Sequence, residues 1–377
     1  MTKNIKLLIV AGARPNFMKV APIIRAIPAF NERMRDQGVA MEYRLVHTGQ
    51  HYDANMSDVF FRELGIPAPH ANLEIGGGSH AFQTANIMLR FEPVCLAEKP
   101  DWIVVVGDVN STVACTLVGV KLGIKVAHVE AGLRSFDRTM PEEINRLVTD
   151  SIADLLLTPS ADGDENLKRE GVAEHRIRLV GNVMIDSLVQ NLPASRRSGT
   201  LEQLGLRPRQ FAFVTLHRPS NVDRRESLAA IMAELKHLAG RMPVVFPIHP
   251  RTRKMLAEFG IAIDQTPQLK VLEPLGYHAS LSLSENACVV LTDSGGLQEE
   301  TTFFRTRCLT LRPNTERPIT ATQGSNLLTS LATLRRDLDE AVAATKPKGS
   351  IPDLWDGNTA ERILTELAKG AGPTASG

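Results

Sequence analysis

Short apolar runs alternate with longer amphipathic segments along this chain. IKLLIVAGA is followed by APIIRAIPAF, EYRLVHTG by MSDVFFRELG, DWIVVVGD by STVACTLVGVKLG, and IKVAHVEAG by EEINRLVTDSIA. A near-continuous apolar run is a strand buried on both faces, and the amphipathic segment after it is a helix that covers the sheet. The rhythm therefore predicts βαβ units and a parallel sheet. ADLLLTPS and RIRLVGN read as two further strands.

After GNVMIDSLVQN the pattern is interrupted by NLPASRRSGTLEQLGLRPRQ, a polar stretch with two prolines and four arginines. It then restarts with FAFVTLHR, SLAAIMAELKHLAG, MPVVFPIHP, TRKMLAEFG and ACVVLTDSGG. A length of 377 residues exceeds what one hydrophobic core usually organises. The expected class is α/β, with two Rossmann-like doubly wound domains, residues 1–181 and 182–358, and a boundary near Gly181. The last helix, within 359–370, is expected to pack back on the first domain, and residues 371–377 to form a disordered tail.

Composition narrows the field of partners. Hydrophobic residues at 43% and charged residues at 23% suit a globular enzyme or binding protein and argue against a disordered chain. With 43 Lys plus Arg against 42 Asp plus Glu, no global field favours nucleic acid or an anionic membrane, so any bound anion needs a local site. Cys95, Cys115, Cys288 and Cys308 lack the paired spacing of zinc or redox sites and read as reduced core residues. The opening MTKNIKLLIVAGARPNF has the lysines and apolar run of a signal peptide. Arg14, Pro15, Asn16 and Lys19 follow at once, however, so a first core strand is the better reading. No stretch approaches the roughly 20 apolar residues of a membrane span, and a cytoplasmic location is expected.

Ligands of open parallel sheets gather at the carboxyl ends of strands. Those positions here are Gly12 to Arg14, His47 to Gln50, Asp108, Glu130, His217, His249 and Asp293 to Gly296. LTDSGGLQEETTFF reads as a strand, a small-residue turn and a helix whose free amides could receive phosphate, with Ser294, Gly295 and Gly296 at the approach. Glu299 and Glu300 are expected on the first turn of that helix. There they would serve its dipole, or one would accept ribose hydroxyls. Arg14, Lys19 and Arg317 are candidate anion contacts. No GxGxxG follows a strand and no GxxxxGK[ST] occurs, so neither a nicotinamide cofactor nor a nucleoside-triphosphate loop is expected. No metal-binding set is apparent. The segment HVEAGLRSFDRTMPEEINR concentrates Glu130, Asp137, Glu142 and Glu143 among Arg134, Arg138 and Arg146, which reads either as ordinary ion pairing or as a proton-transfer site.

Taken together, VVGDVNST, HVEAGLR, MPEEINR, GNVMIDSL, VTLHRPSN and TDSGGLQEE resemble the non-hydrolysing UDP-N-acetylglucosamine 2-epimerase family, in the expected order from Arg14 to about Asn326. The resemblance implies a GT-B-like pair of domains with a nucleotide-sugar in the interdomain cleft, and a homodimer. It implies a catalytic set of Asp108, Glu130, Glu142 and His217. Arg14, Lys19, His249, Ser294, Gly295, Gly296, Glu300 and Arg317 occupy positions that bind the uridine diphosphate. Glu143 is left as helix N-terminal charge or an ion pair.

The C2 hydrogen of such a sugar has no neighbouring carbonyl to acidify it. One solution oxidises a neighbouring carbon with NAD. The other expels UDP from C1 while a base takes the C2 proton, then adds both back on the other face. The missing dinucleotide fingerprint favours elimination, which needs carboxylates for proton transfer and cations or amides for the departing diphosphate. Close acids would push one another's pKa values apart. Arg305 and Arg307 stand where relatives commonly carry glycine and proline. TGQHYDANMS and NLEIGGGSH resemble the archaeal-like branch, lacking an arginine of a regulatory substrate site and including enzymes of modified sugars such as diacetamido-uronic acids. A glycosyltransferase of the same architecture, a hydrolysing epimerase and a silent sugar-nucleotide sensor are the alternatives.

Overall fold

A computed structural model describes residues 3–49, 65–263, 266–345 and 348–371, with the side chains of all these except Arg14 and Pro15. The chain divides into two compact units, Met1–Val189 with Asp353–Gly377, and Gln190–Pro352. The expected helix MSDVFFREL and most of TGQHYDANMS lie outside the described residues, as do residues 372–377.

The first unit is built on a seven-stranded sheet in the order β3-β2-β1-β4-β5-β6-β7, with every pairing parallel. Its strands are β1 (Lys3–Ala11), β2 (Val39–His47), β3 (Ala71–Asn72), β4 (Trp102–Val106), β5 (Lys125–Val129), β6 (Leu155–Thr158) and β7 (Ile177–Leu179). All five residues of β4 are buried, as the unbroken run WIVVV requires of a strand covered on both faces. Helices α1 (Arg14–Arg33), α2 (His80–Glu98), α3 (Asn110–Lys121), α4 (Pro141–Ile152) and α5 (Ala161–Arg169) follow in chain order, and α6 (Val183–Arg197) begins in this unit and continues past its end at Val189. Helices α2 and α5 are ones the hydrophobic pattern did not announce, and α2 shows why. It buries Gln83, Ile87, Phe91 and Cys95 but leaves Phe82, Leu89 and Leu96 exposed, so its apolar residues do not form one stripe.

The second unit carries a six-stranded parallel sheet in the order β10-β9-β8-β11-β12-β13. These strands are β8 (Ala212–Thr215), β9 (Val244–Pro247), β10 (Leu269–Leu272), β11 (Val289–Thr292), β12 (Arg307–Leu311) and β13 (Asn326–Thr329). Its longer helices are α7 (Arg225–Ala239), α8 (Pro250–Glu258), α9 (Tyr277–Asn286), α10 (Gly295–Phe304) and α11 (Leu334–Ala343). Two apolar clusters cover the sheet. Val214, Phe246 and Leu291 belong to one, and Phe213, Val245 and Val290 to the other, the alternation that the pleat of a strand produces.

Each sheet reverses its winding once, between β1 and β4 in the first unit and between β8 and β11 in the second. Such reversals open a crevice at the strand ends. The C-terminal helix α12 (Thr359–Gly370) packs on α1 within the first unit. Its own cap residue Asn358 supplies no side-chain bond. The carboxylate of Asp186 does so instead, accepting from Thr359 N at 3.1 Å and Ala360 N at 2.7 Å. The aspartate of GNVMIDSL is thereby explained as a remote helix cap. No described helix is long and apolar enough to cross a membrane.

Candidate functional site

At the switch point of the first sheet, Lys19 of α1 reaches the carboxylate of Glu130, which follows β5 directly, in an ion pair that is almost fully buried. Gly107, just past β4, adopts φ +67°, and a Cβ there would lie 2.7 Å from Lys19 Nζ and 3.5 Å from Glu130 Oε2. Glycine is required on both counts, conformation and space. Asn16 closes the same corner, accepting from Gly12 N at 2.9 Å and Ala13 N at 3.1 Å while donating to Val106 O at 3.1 Å. It was missed by sequence reasoning, because its partners are backbone atoms that only the sheet brings together.

Asp108 is half-buried and pairs with Arg146 Nη1. Arg146 also donates from Nη2 to Glu143 Oε2 at 2.6 Å. Glu143 in turn accepts from Ser135 N at 2.9 Å, Ser135 Oγ at 3.0 Å and Phe136 N at 2.9 Å. Burial pushes the Glu143 carboxyl up, but the Ser135 amide and the Arg146 guanidinium outweigh it and hold it below the ordinary carboxylate range. Glu143 is thus the ion pair that ties the SFDRTM loop to α4. Glu142, half-exposed on the same first turn, has no hydrogen-bond or ion-pair partner among the described residues. Glu130 pairs with Lys19, whereas Arg134 goes to Asp150 and Glu170. The acids are not a bare cluster, since Asp108 and Glu130 each have their own cation. The side chain of Arg14, the first residue of α1, lies outside the described residues.

In the second unit His217 follows β8 at the other switch point. Its Nδ1 lies 2.9 Å from Asp293 Oδ1, and its backbone N–H donates to the same carboxylate. Asp293 is fully buried and also accepts from Arg218 N at 2.9 Å and Asn221 Nδ2 at 3.0 Å. Burial alone would raise its pKa, but His217 and these donors hold it below the ordinary range. The rings of His217 and His249 are 5.5 Å apart, and His249 caps α8 by accepting from Arg251 N. Asp293 was legible only as a strand-end residue; its function as the partner of His217 was not.

Ser294 is the N-cap of α10, and Gly295 and Gly296 open it. A Cβ on Gly295 would stand 2.7 Å from Arg317 Nη1, while one on Gly296 would meet open space. Arg317 is held by Glu299 Oε1 at 2.7 Å and Glu316 Oε1 at 2.5 Å. Glu299 and Glu300 do not stand on the first turn of α10 as expected; that turn carries no acid, and both lie beyond it, buried. The cap is Ser294 itself, which moves them one turn inward. Burial, then the neighbouring Glu299 charge, pushes the Glu300 carboxyl up to about 8. Among the described residues no group of three His, Cys, Asp or Glu side chains could hold a metal ion.

The sequence profile of the UDP-N-acetylglucosamine 2-epimerase family matches residues 33–368. A UDP-N-acetylglucosamine 2-epimerase of Methanocaldococcus jannaschii is 41% identical over 97% of this chain and 99% of its own. A UDP-2,3-diacetamido-2,3-dideoxy-D-glucuronate 2-epimerase of Pseudomonas aeruginosa is 40% identical over the same shares. The crystal structure of the M. jannaschii enzyme, in complex with UDP-GlcNAc and UDP, superimposes with a TM-score of 0.84 at 40% identity, covering 97% of this chain and all of that one.

Proposed function

Because the chain belongs to the UDP-N-acetylglucosamine 2-epimerase family, we propose that it interconverts UDP-N-acetylglucosamine and UDP-N-acetylmannosamine without releasing free sugar. The observation that carries this reading is the division of chemistry between the two switch points. One gathers carboxylates with cations against them, and the other a glycine-opened helix N-terminus beside Arg317.

In this mechanism a base removes the proton from C2 as the C1–O bond breaks. The bonding pair leaves with UDP, and a C1=C2 double bond forms in 2-acetamidoglucal. UDP then adds back at C1 while C2 takes a proton on its opposite face. We assign Asp108, Glu130, Glu142 and His217 to the reacting sugar and the leaving phosphate. Arg14, Lys19, His249, Ser294, Gly295, Gly296, Glu300 and Arg317 are assigned to UDP. Free amides at Gly295 and Gly296 suit phosphate, with Arg317 as the adjacent charge. A buried, protonated Glu300 suits ribose hydroxyls, since it both donates and accepts. UDP-sugars are anionic and do not cross membranes unaided, which favours the cytoplasm.

A second reading rests on the P. aeruginosa relative, which at 40% identity is nearly as similar as the M. jannaschii one at 41%, so a sugar substituted at C3 and C6 is the rival substrate. We also assign the protein a homodimeric state, supported by the exposed apolar side chains of α2. The test is incubation in deuterium oxide with UDP-N-acetylglucosamine or its diacetamido-uronate counterpart, followed by NMR. Deuterium at C2 of a sugar still joined to UDP is the expected result. Free sugar, or inverted product that never carries deuterium, counts against elimination and re-addition. The sugar turned over with the higher kcat/KM decides between the two substrates.

A further inference from the structure

Glu130 adopts φ +72°, a left-handed conformation that costs a non-glycine residue stability and persists only where its surroundings impose it. The residues on either side of it converge on one buried carboxylate. Asp150 of α4 faces His128 Nδ1 at 2.6 Å, two residues before Glu130. Its other oxygen accepts from Gly132 N at 3.1 Å, two residues after, and meets Arg134 Nη1 at 2.7 Å, four residues after. His128 Nε2 faces the Gly107 carbonyl at 2.8 Å. A carbonyl can only accept, so that nitrogen carries a proton, and the ring links Asp150 to the residue preceding Asp108. Gly132 is confined further, since a Cβ there would lie 2.5 Å from the Gly163 carbonyl oxygen.

His128 and Asp150 are fully buried and Arg134 nearly so, with Arg134 completing its fork on Glu170. Burying this many ionisable groups is a poor route to stability, because apolar residues of similar volume would do as well or better. The arrangement makes sense as a device for placing backbone. We propose that Asp150, acting with His128 and Arg134, is a positioning residue that holds the Glu130 backbone in its left-handed conformation and fixes the Gly107 carbonyl beside Asp108. The inference rests on the catalytic role proposed above for Glu130. Asp150 itself touches no reacting atom in this account.

The test compares wild type, Asp150→Ala, Asp150→Asn, His128→Asn, Glu130→Gln and the double variant Glu130→Gln/Asp150→Ala. For each, kcat and KM for C2 exchange are measured alongside UDP affinity and thermal unfolding. Displacing Glu130 by an ångström should lower kcat by about 10²-fold in Asp150→Ala, with KM and UDP affinity within about threefold of wild type. Asp150→Asn should recover most of the loss, because its amide oxygen can accept from Gly132 and Arg134 while its NH2 donates to Nδ1 of a neutral His128 ring. In the Glu130→Gln background, removing Asp150 should add little. Folded Asp150→Ala with wild-type kcat, or fully additive losses in the double variant, overturns the proposal. If Asp150→Ala does not fold, His128→Asn decides. It keeps a donor for Asp150 and loses the Gly107 carbonyl, so reduced kcat at unchanged KM supports positioning and wild-type kcat overturns it. Wild-type turnover in Glu130→Gln instead sinks the reading of Glu130 itself, a result separate from anything Asp150 does.

Discussion

Asp293 grips His217 at two points, accepting from its backbone N–H at 3.0 Å and facing its ring Nδ1 at 2.9 Å. A carboxylate on one ring nitrogen selects the tautomer and aims the other nitrogen away from it. The His217 side chain is 43% exposed and its partner fully buried, so the ring is anchored from beneath and open above. Asp293→Ala should therefore lower kcat by about 10²-fold, as loss of an orienting partner typically does. His217→Ala should lower it at least as far, and the double variant little further. Steady-state kinetics of the three variants check this; independent, additive losses would mean that Asp293 does not work through His217.

Gly107 offers a sharper probe of the first switch point than removal of a charge. Alanine there would be strained at φ +67° and would drive a methyl against Lys19 Nζ, the partner of Glu130. Gly107→Ala should cost about 1–3 kcal/mol of stability and lower turnover by 10-fold or more, about the effect expected when reacting groups are displaced. Urea unfolding and C2 exchange rates check the two parts. A variant with wild-type turnover would show that the Lys19–Glu130 geometry does not matter to the reaction.

Hydrophobic patterning carried the fold because strands covered on both faces must be apolar throughout, and WIVVV and ACVVLT are short, valine-rich runs that suit a strand better than a buried helix. Candidate site residues were legible where function sits at strand ends, which sequence order marks directly. What stayed hidden acts across the sheet. Asn16 bonds to the end of β4, Asp150 to residues 16 to 22 positions earlier, and Asp186 to a helix 173 residues later. Nothing local distinguishes such residues from surface polar ones until strand order is known. Arg305 shows the reverse case. It closes α10 at φ +55°, a left-handed conformation that favours glycine, and its Nε donates to the Gly349 carbonyl at 3.1 Å.

Helix α2 presents Phe82, Leu89 and Leu96 to solvent, seven residues apart and so along one side of the helix. Scattered single apolar residues need no explanation, but a row of three does. If this row is where two copies meet, Leu89→Glu, exposed at 70% in the single chain, should shift the protein toward monomer with little change in its fold. Analytical ultracentrifugation with far-UV circular dichroism checks it. A dimer of undiminished affinity in Leu89→Glu places the interface elsewhere.

Glu300 gives the pH dependence its sign. Its carboxyl ordinarily titrates near 4.5 and in the folded protein is pushed up to about 8 by burial and by Glu299, with the Tyr277 phenol also close by. Between those two values the native state keeps a proton that the unfolded chain has released. Stability must therefore fall as pH rises from about 4.5 to about 8, and the loss is complete once the folded carboxyl ionises. Glu300→Gln mimics the protonated acid at every pH and removes this contribution. The melting temperature of the variant relative to wild type should thus climb steadily from pH 5 to about pH 8.5. UDP affinity of wild type should change over the same range as Glu300 loses its ability to donate, while that of Glu300→Gln stays flatter. Thermal melts and calorimetric titration with UDP at matched ionic strength check both. A difference in melting temperature that does not vary with pH would mean that Glu300 ionises in the folded protein much as it does in the unfolded chain.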